Sequence, residues 1–280
     1  MNRWMSAIVV AGISVAALTG AACVPALAED PSLVLDRIKA SGKFKFPVMG
    51  AEEPGYIQDP RTGERRAFFV DCGKDFVGIM GVKIEYYETT WGNLAAHFQA
   101  GKIDLAVALN PNTRRGLVVD YVPGAIVEGI WALVARPNFK PKTWREIDTR
   151  ETRIAVQKGG TMQVIPEAVT PKATIVVAPS RDQAILELQS GKVDAIVIAD
   201  QDVAFVDAKG TGRAVLPKPA LRNPSAIGIR GESGNTGFAS LLANWMSQQN
   251  SLGLACSRIT LCMRERGIDI KAVPQSGKYC

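Results

Sequence analysis

Two stretches of the chain repeat one order of apolar and polar positions: a helix-spaced stretch, a glycine, then an unbroken apolar run. Thr90 to Ala108 reads TWGNLAAHFQAGKIDLAVA, and Ser180 to Ile198 reads SRDQAILELQSGKVDAIVI. Gln99, Gly101, Lys102 and Asp104 of the first stretch recur ninety positions on as Gln189, Gly191, Lys192 and Asp194. In each copy a Thr or Ser can cap a helix of about ten residues, on which apolar side chains such as Leu94 and Phe98 fall four apart. Gly101 and Gly191 then stop the helices. The runs Leu105 to Leu109 and Ala195 to Ala199 read as buried parallel strands. Helix, glycine and strand in succession are common in α/β folds, but identities that match across cap, helix, stop and strand predict two related lobes.

Ligands of α/β sheets collect outside the carboxyl ends of the strands. The residues to watch are therefore Asn110 to Arg115 after the first strand and Asp200 to Asp202 after the second. Two lobes facing each other across a cleft would bring a cationic group and an anionic group to one ligand, and an amino acid has complementary ends. A third element points to the same cleft. Arg153 to Gln157 reads as a strand, and Lys158-Gly159-Gly160-Thr161 follows it just before a helical stretch. Glycines at such a turn let backbone N–H groups approach an anion, which the helix dipole also favours; the alternative is a turn with no ligand. The motif lacks the full dinucleotide or phosphate-loop pattern, so it does not indicate nucleotide binding.

The amino terminus sets the expected compartment. Arg3 precedes a mostly apolar run from Ser6 to Ala22, and Ala26-Leu27-Ala28 has the small-x-small form of a signal-peptidase site. Residues 1–28 are expected to be a cleaved secretory signal, with export to the periplasm. The run is short for a membrane anchor and is broken by Gly12, Ser14, Thr19 and Gly20. A lipoprotein anchored at Cys23 is the minor alternative, since Gly20-Ala21-Ala22 lacks a Leu three residues upstream. The whole chain carries a formal charge of +6, from 33 basic and 27 acidic residues. A mild excess spread along the sequence does not indicate nucleic-acid binding.

Cysteine and histidine usage narrows the chemistry. Cys72, Cys256, Cys262 and Cys280 remain after cleavage. They allow two disulfides in three pairings, of which Cys256 with Cys262 and Cys72 with Cys280 are expected. A C-x2-C metal pattern is absent, and His97 is the single histidine, so no metal site, cofactor or catalytic triad is legible. His97 itself reads as a partly exposed helix residue.

In order along the chain, several short motifs resemble the extracellular solute-binding proteins of polar amino-acid ABC importers, family 3. They are Leu35-Asp36-Arg37-Ile38 with Ser41-Gly42-Lys43, Thr62-Gly63-Glu64 with Phe68-Phe69-Val70-Asp71, and Thr90-Trp91 through Gly101-Lys102-Ile103-Asp104. Arg115 with Val118-Val119-Asp120-Tyr121, Val156-Gln157-Lys158-Gly159 and Val193-Asp194-Ala195-Ile196-Val197 continue the series. The resemblance covers nearly all of the mature chain. It implies an α/β, two-lobed periplasmic-binding-protein fold of type II, each lobe a mixed sheet flanked by helices. Lobe I would comprise 29–134, lobe II 135–225, and 226–280 would return to lobe I. The crossings would fall near Val134 to Pro137 and Ser225 to Gly228, and the carboxy-terminal helices would pack on lobe I beside Cys72.

The same resemblance assigns roles. Arg115 matches an arginine that grips the ligand's α-carboxylate in a two-toothed contact, with Arg114 as its alternative if the register shifts by one. Asp200 matches an aspartate that pairs with the ligand ammonium, after one extra residue is allowed, so Asp202 stays open beside it. Trp91 matches an aromatic wall, or else a core residue at a helix start. Thr161 and the Gly160 N–H match a lobe II carboxylate site. The family's lobe I hydroxyls are replaced by Val107, Ala108 and Asn110, which leaves the Asn110 amide. Its second aromatic wall falls at Glu53, with Tyr56 a little downstream. An acidic Glu52-Glu53 pair would favour a ligand with an added positive charge, or forms a solvated loop. The implied partners are a small amino-acid-like carboxylate and the membrane subunits of an ABC permease, met by a monomer. Alternatives on the same fold are a cyclohexadienyl dehydratase-like enzyme, with Glu52, Glu53 or Asp200 as general acid, and a ligand-sensing subunit of a receptor.

Overall fold

Both apolar runs of the repeat become fully buried strands, Leu105–Leu109 and Ala195–Ala199. The computed structural model describes residues 34–50, 52, 55–207, 210–269 and 271. The helices Leu94–Gln99 and Arg181–Gln189 lead into these strands. Each helix is stopped by a glycine in the left-handed region, Gly101 at φ +63° and Gly191 at φ +72°. Ser180 caps the second helix by accepting a hydrogen bond from the Gln183 N–H at 3.2 Å.

The repeated aspartates explain why the two stretches share that residue. The Asp104 carboxylate accepts from the Lys45 N–H at 2.7 Å, while the Asp104 N–H donates to the Lys45 carbonyl at 2.9 Å. Asp194 makes the same clamp on Arg153, at 2.8 Å in both directions. In each lobe a side chain thus fixes the neighbouring strand, Lys43–Met49 or Arg153–Gln157, beside the apolar run. One expectation needs correction. Ala195–Ala199 does pair in parallel with Arg153–Gln157, but the ladder of Leu105–Leu109 among the described residues is antiparallel, with Arg222–Arg230.

Apolar residues sort into separate cores. One gathers side chains from Val34 to Val127 and from Ile227 to Met263. Two others, on either face of the far half of the eight-stranded sheet that holds both apolar runs, are built from residues between Trp131 and Val215. Two long strands, Val127–Ala135 and Arg222–Arg230, run through both regions and pair antiparallel where they pass, from Val127 opposite Ser225 to Ile130 opposite Arg222. The helix Asp200–Asp207 sits where the regions meet. Val203 and Val206 belong to the second region's core, while Ala204 and Phe205 pack into the first.

Cys72 and Cys262 are buried free thiols, so neither expected cysteine pairing forms. Burial pushes both thiols up, Cys72 to about 12 and Cys262 to about 11, which keeps them protonated. His97 is half-buried, its Nδ1 2.7 Å from the Thr89 hydroxyl and its ring edge-on to Tyr87. Residues 1–28 and Cys280 lie outside the described residues. Among the described residues no helix is long and apolar enough to cross a membrane.

Candidate functional site

The carboxyl ends of three strands converge on one small cavity. Ala108 and Asn110 come from the end of Leu105–Leu109, Gly160, Thr161 and Met162 from the turn after Arg153–Gln157, and Ala199, Gln201 and Asp202 from the end of Ala195–Ala199. Tyr56, Phe69 and Trp91 give it an aromatic side, with Tyr56 edge-on to Trp91 at 6.4 Å and tilted against Phe69 at 5.6 Å. The cavity measures about 40 Å³, room for a few water molecules. A larger crevice of about 570 Å³ adjoins it, and Tyr56 and Arg181 line both.

Arg115 opens a 3-10 turn, Arg115–Leu117, which turns its side chain inward while Arg114 stays exposed. Its guanidinium Nη2 donates to the Gly159 carbonyl at 2.8 Å and to the Trp91 carbonyl at 3.4 Å. Arg115 is 7% exposed, and among the described residues no carboxylate pairs with it. Burial lowers its pKa, opposed by Tyr121. Several polar atoms around the cavity also lack protein partners: the Tyr56 hydroxyl, Trp91 Nε1, Thr161 Oγ1 and Gln201 Oε1. A buried cation and a ring of unpaired donors and acceptors are what a bound polar molecule would satisfy.

The other expected residues fall in different places. Asn110 lines the cavity, but its amide is committed to the returning strand, donating to the Asn223 side chain and to the Pro224 carbonyl at 2.9 Å. Gly160 caps the helix Thr161–Val169, placing that helix terminus at the cavity wall. Asp200 is fully buried at the first turn of its helix, where its carboxylate accepts from the Gln201 N–H at 3.0 Å. Asp202, one turn-face on, borders the cavity instead. Glu53 lies outside the described residues.

Sequence reasoning passed over a second charged cluster. Arg181, at the start of its helix, pairs with Glu52 at 2.8 Å and with Asp202 at 3.1 Å, and all three side chains are buried. Glu52 also accepts a short hydrogen bond from Gln157 Nε2. Glu52 follows the strand of the first region, whereas Gln157, Arg181 and Asp202 belong to the second, so these contacts tie the two across the cleft. Nothing local marks Arg181, because its partner Glu52 is remote in sequence. Burial alone would lower the Arg181 pKa, but Asp202 and Glu52 outweigh it and raise it. Burial pushes the Asp202 carboxyl up to about 6; Arg181 opposes the shift, and Glu52 and Asp200 add to it.

A folded-state value above the ordinary 3.8 means that folding takes up a proton here. The associated stability is complete below about pH 4 and is lost as the pH rises through about 6. Asp202→Asn is therefore expected to remove a decline on the order of 1–3 kcal/mol across that window. Urea unfolding midpoints of wild type and variant, compared from pH 4 to 7, check this; parallel curves would refute it.

No family model matches the chain. A probable amino-acid ABC transporter periplasmic-binding protein of Sinorhizobium fredii is 24% identical over 196 residues, 67% of this chain. Cyclohexadienyl dehydratase of Pseudomonas aeruginosa is 24% identical over 165 residues, 58% of this chain. The chain spans 63% and 61% of the lengths of these two curated relatives. Among solved structures, an ancestral amino acid-binding protein, a precursor of cyclohexadienyl dehydratase, superposes with a TM-score of 0.72 at 23% identity, over 82% of this chain and 98% of that one. The fold is that of the two-lobed, type II periplasmic binding proteins. An amino acid ABC transporter substrate-binding protein of Streptococcus pneumoniae bound to L-arginine shares this binding-protein fold, with a TM-score of 0.72 at 17% identity, over 86% of this chain and all of that one. The family resemblance in the sequence thus meets relatives and neighbours of the same kind.

Proposed function

We propose that this binding-protein fold captures a small amino-acid-like carboxylate between its lobes and delivers it to an ABC importer. The observation that carries the reading is Arg115, a buried guanidinium with no acid among the described residues and with the unpaired Thr161 and Trp91 donors around the same cavity. A ligand carboxylate fits between them. The strands Val127–Ala135 and Arg222–Arg230 serve as the hinge, with lobe II between them. Ligand contacts from both sides favour the closed form, which the permease subunits recognise. Export to the periplasm agrees with the signal-like residues 1–28.

A thermal-shift screen over amino acids, polyamines, opines and small organic acids tests this reading, because a tight ligand raises the melting temperature by mass action. Small zwitterionic carboxylates are expected to shift it. A response to polyamines alone would overturn the carboxylate assignment. The dehydratase relative motivates a second reading, an enzyme using the raised Asp202 carboxyl as an acid; dehydration of a cyclohexadienyl substrate by the purified protein would establish it.

A further inference from the structure

Arg181 stands between two spaces. It lines the small cavity beside Arg115 and also the larger adjoining crevice, so its side chain is part of the wall that separates them. Its guanidinium lies within 2.8 Å of the Glu52 carboxylate and 3.1 Å of the Asp202 carboxylate. These two acids are the ones that border the cavity and that would otherwise attract a positively charged ligand side chain. Glu52 is further occupied by Gln157.

We propose that Arg181 sets the length and charge of the ligand: it occupies, between Glu52 and Asp202, the place a cationic side chain would take, so the site accepts amino acids with short uncharged side chains and rejects arginine and lysine. The inference rests on the amino-acid reading above and deepens it. Two independent features support it. The acidic subsite is already neutralised by a protein cation, and a second cation brought beside Arg181 would meet like charge in a buried setting. Arg181 also lines both the inner cavity and the adjoining crevice of about 570 Å³, so it closes the direction in which a four-carbon or guanidinium chain would have to extend. Selectivity of this kind works by repulsion as much as by fit.

Calorimetric titration of wild-type protein with glycine, L-alanine, L-serine, L-lysine and L-arginine gives the first arm. Short side chains are expected to bind, with lysine and arginine about tenfold weaker or more. The second arm is Arg181→Ala, which joins the cavity to the crevice and exposes Glu52 and Asp202; it is expected to gain arginine or lysine binding by about tenfold or more. Arg181→Lys keeps a cation there and should go on rejecting both. If Arg181→Ala does not fold, the double variant Arg181→Met with Glu52→Gln removes one buried charge of each sign and still leaves Asp202 for a ligand cation. Wild-type binding led by arginine or lysine, or a folded Arg181→Ala or double variant that still rejects them, would overturn the role of Arg181. Failure of every amino acid to bind wild type would instead remove the reading on which it rests.

Discussion

Arg115→Ala is expected to abolish ligand capture while leaving the ligand-free protein as stable as wild type to within about 1 kcal/mol. The two halves of this result have one cause. Arg115 is buried without an acid among the described residues, so with the lobes together its charge is desolvated and only partly compensated, by the Gly159 and Trp91 carbonyls. Deleting it loses those hydrogen bonds but also removes the desolvation cost, and the two nearly offset. In the complex the balance differs. A ligand carboxylate left in the cavity without its guanidinium forfeits about 2–5 kcal/mol, which is roughly thirtyfold to several thousandfold in affinity. Arg115→Lys should recover only part, since an ammonium cannot make the planar double contact. Calorimetry alongside urea unfolding separates the effects. A variant that binds as wild type, or one that loses binding only because it unfolds, would defeat the assignment.

Sequence patterns served well where a residue's task is local. The strands Leu105–Leu109 and Ala195–Ala199 were legible to their end residues, because an apolar run after a helix-stopping glycine has few other uses. Asp104 and Asp194 recur because the same backbone clamp is needed twice. The pattern was silent where partners come from distant parts of the chain. Spacing alone left Arg114 and Arg115 open, and a 3-10 turn decides which one points inward. Arg181 reads as an ordinary helix-start residue until Glu52 is brought across to it. Antiparallel pairing of Leu105–Leu109 depends on a strand that returns from lobe II, more than a hundred residues later. The cysteine pairings failed for the same reason: Cys72 and Cys262 were paired by count, and burial in the core, which needs no bond, is what holds them.

Lobe closure depends on how near two backbones can come, and Gly159→Ala is expected to prevent it. Gly159 follows the strand Arg153–Gln157 of the second lobe, and a Cβ added there would lie 2.4 Å from the Gly92 Cα of the first. No side chain can swing aside, since the obstacle is backbone, so the lobes must part. That movement would stretch the 2.8 Å hydrogen bond from Arg115 to the Gly159 carbonyl and the Glu52 contacts with Arg181 and Gln157. Affinity for any ligand held from both lobes should fall by about tenfold to a hundredfold.

Two controls isolate the cause. Gly191 has nearly the same backbone, φ +72° against +73°, but nothing within 4 Å of an added Cβ; Gly191→Ala should cost about 1 kcal/mol of stability and no affinity. Gly92→Ala places its Cβ 3.7 Å from the Lys158 carbonyl and 3.9 Å from the Gly159 Cα, ordinary contact distances, and should bind as wild type. Small-angle scattering with and without ligand completes the test: wild type and Gly92→Ala contract on binding and Gly159→Ala does not. Contraction of Gly159→Ala to the wild-type radius would mean that the lobes do not close through this contact, and the cleft would then have to meet its ligand in another geometry.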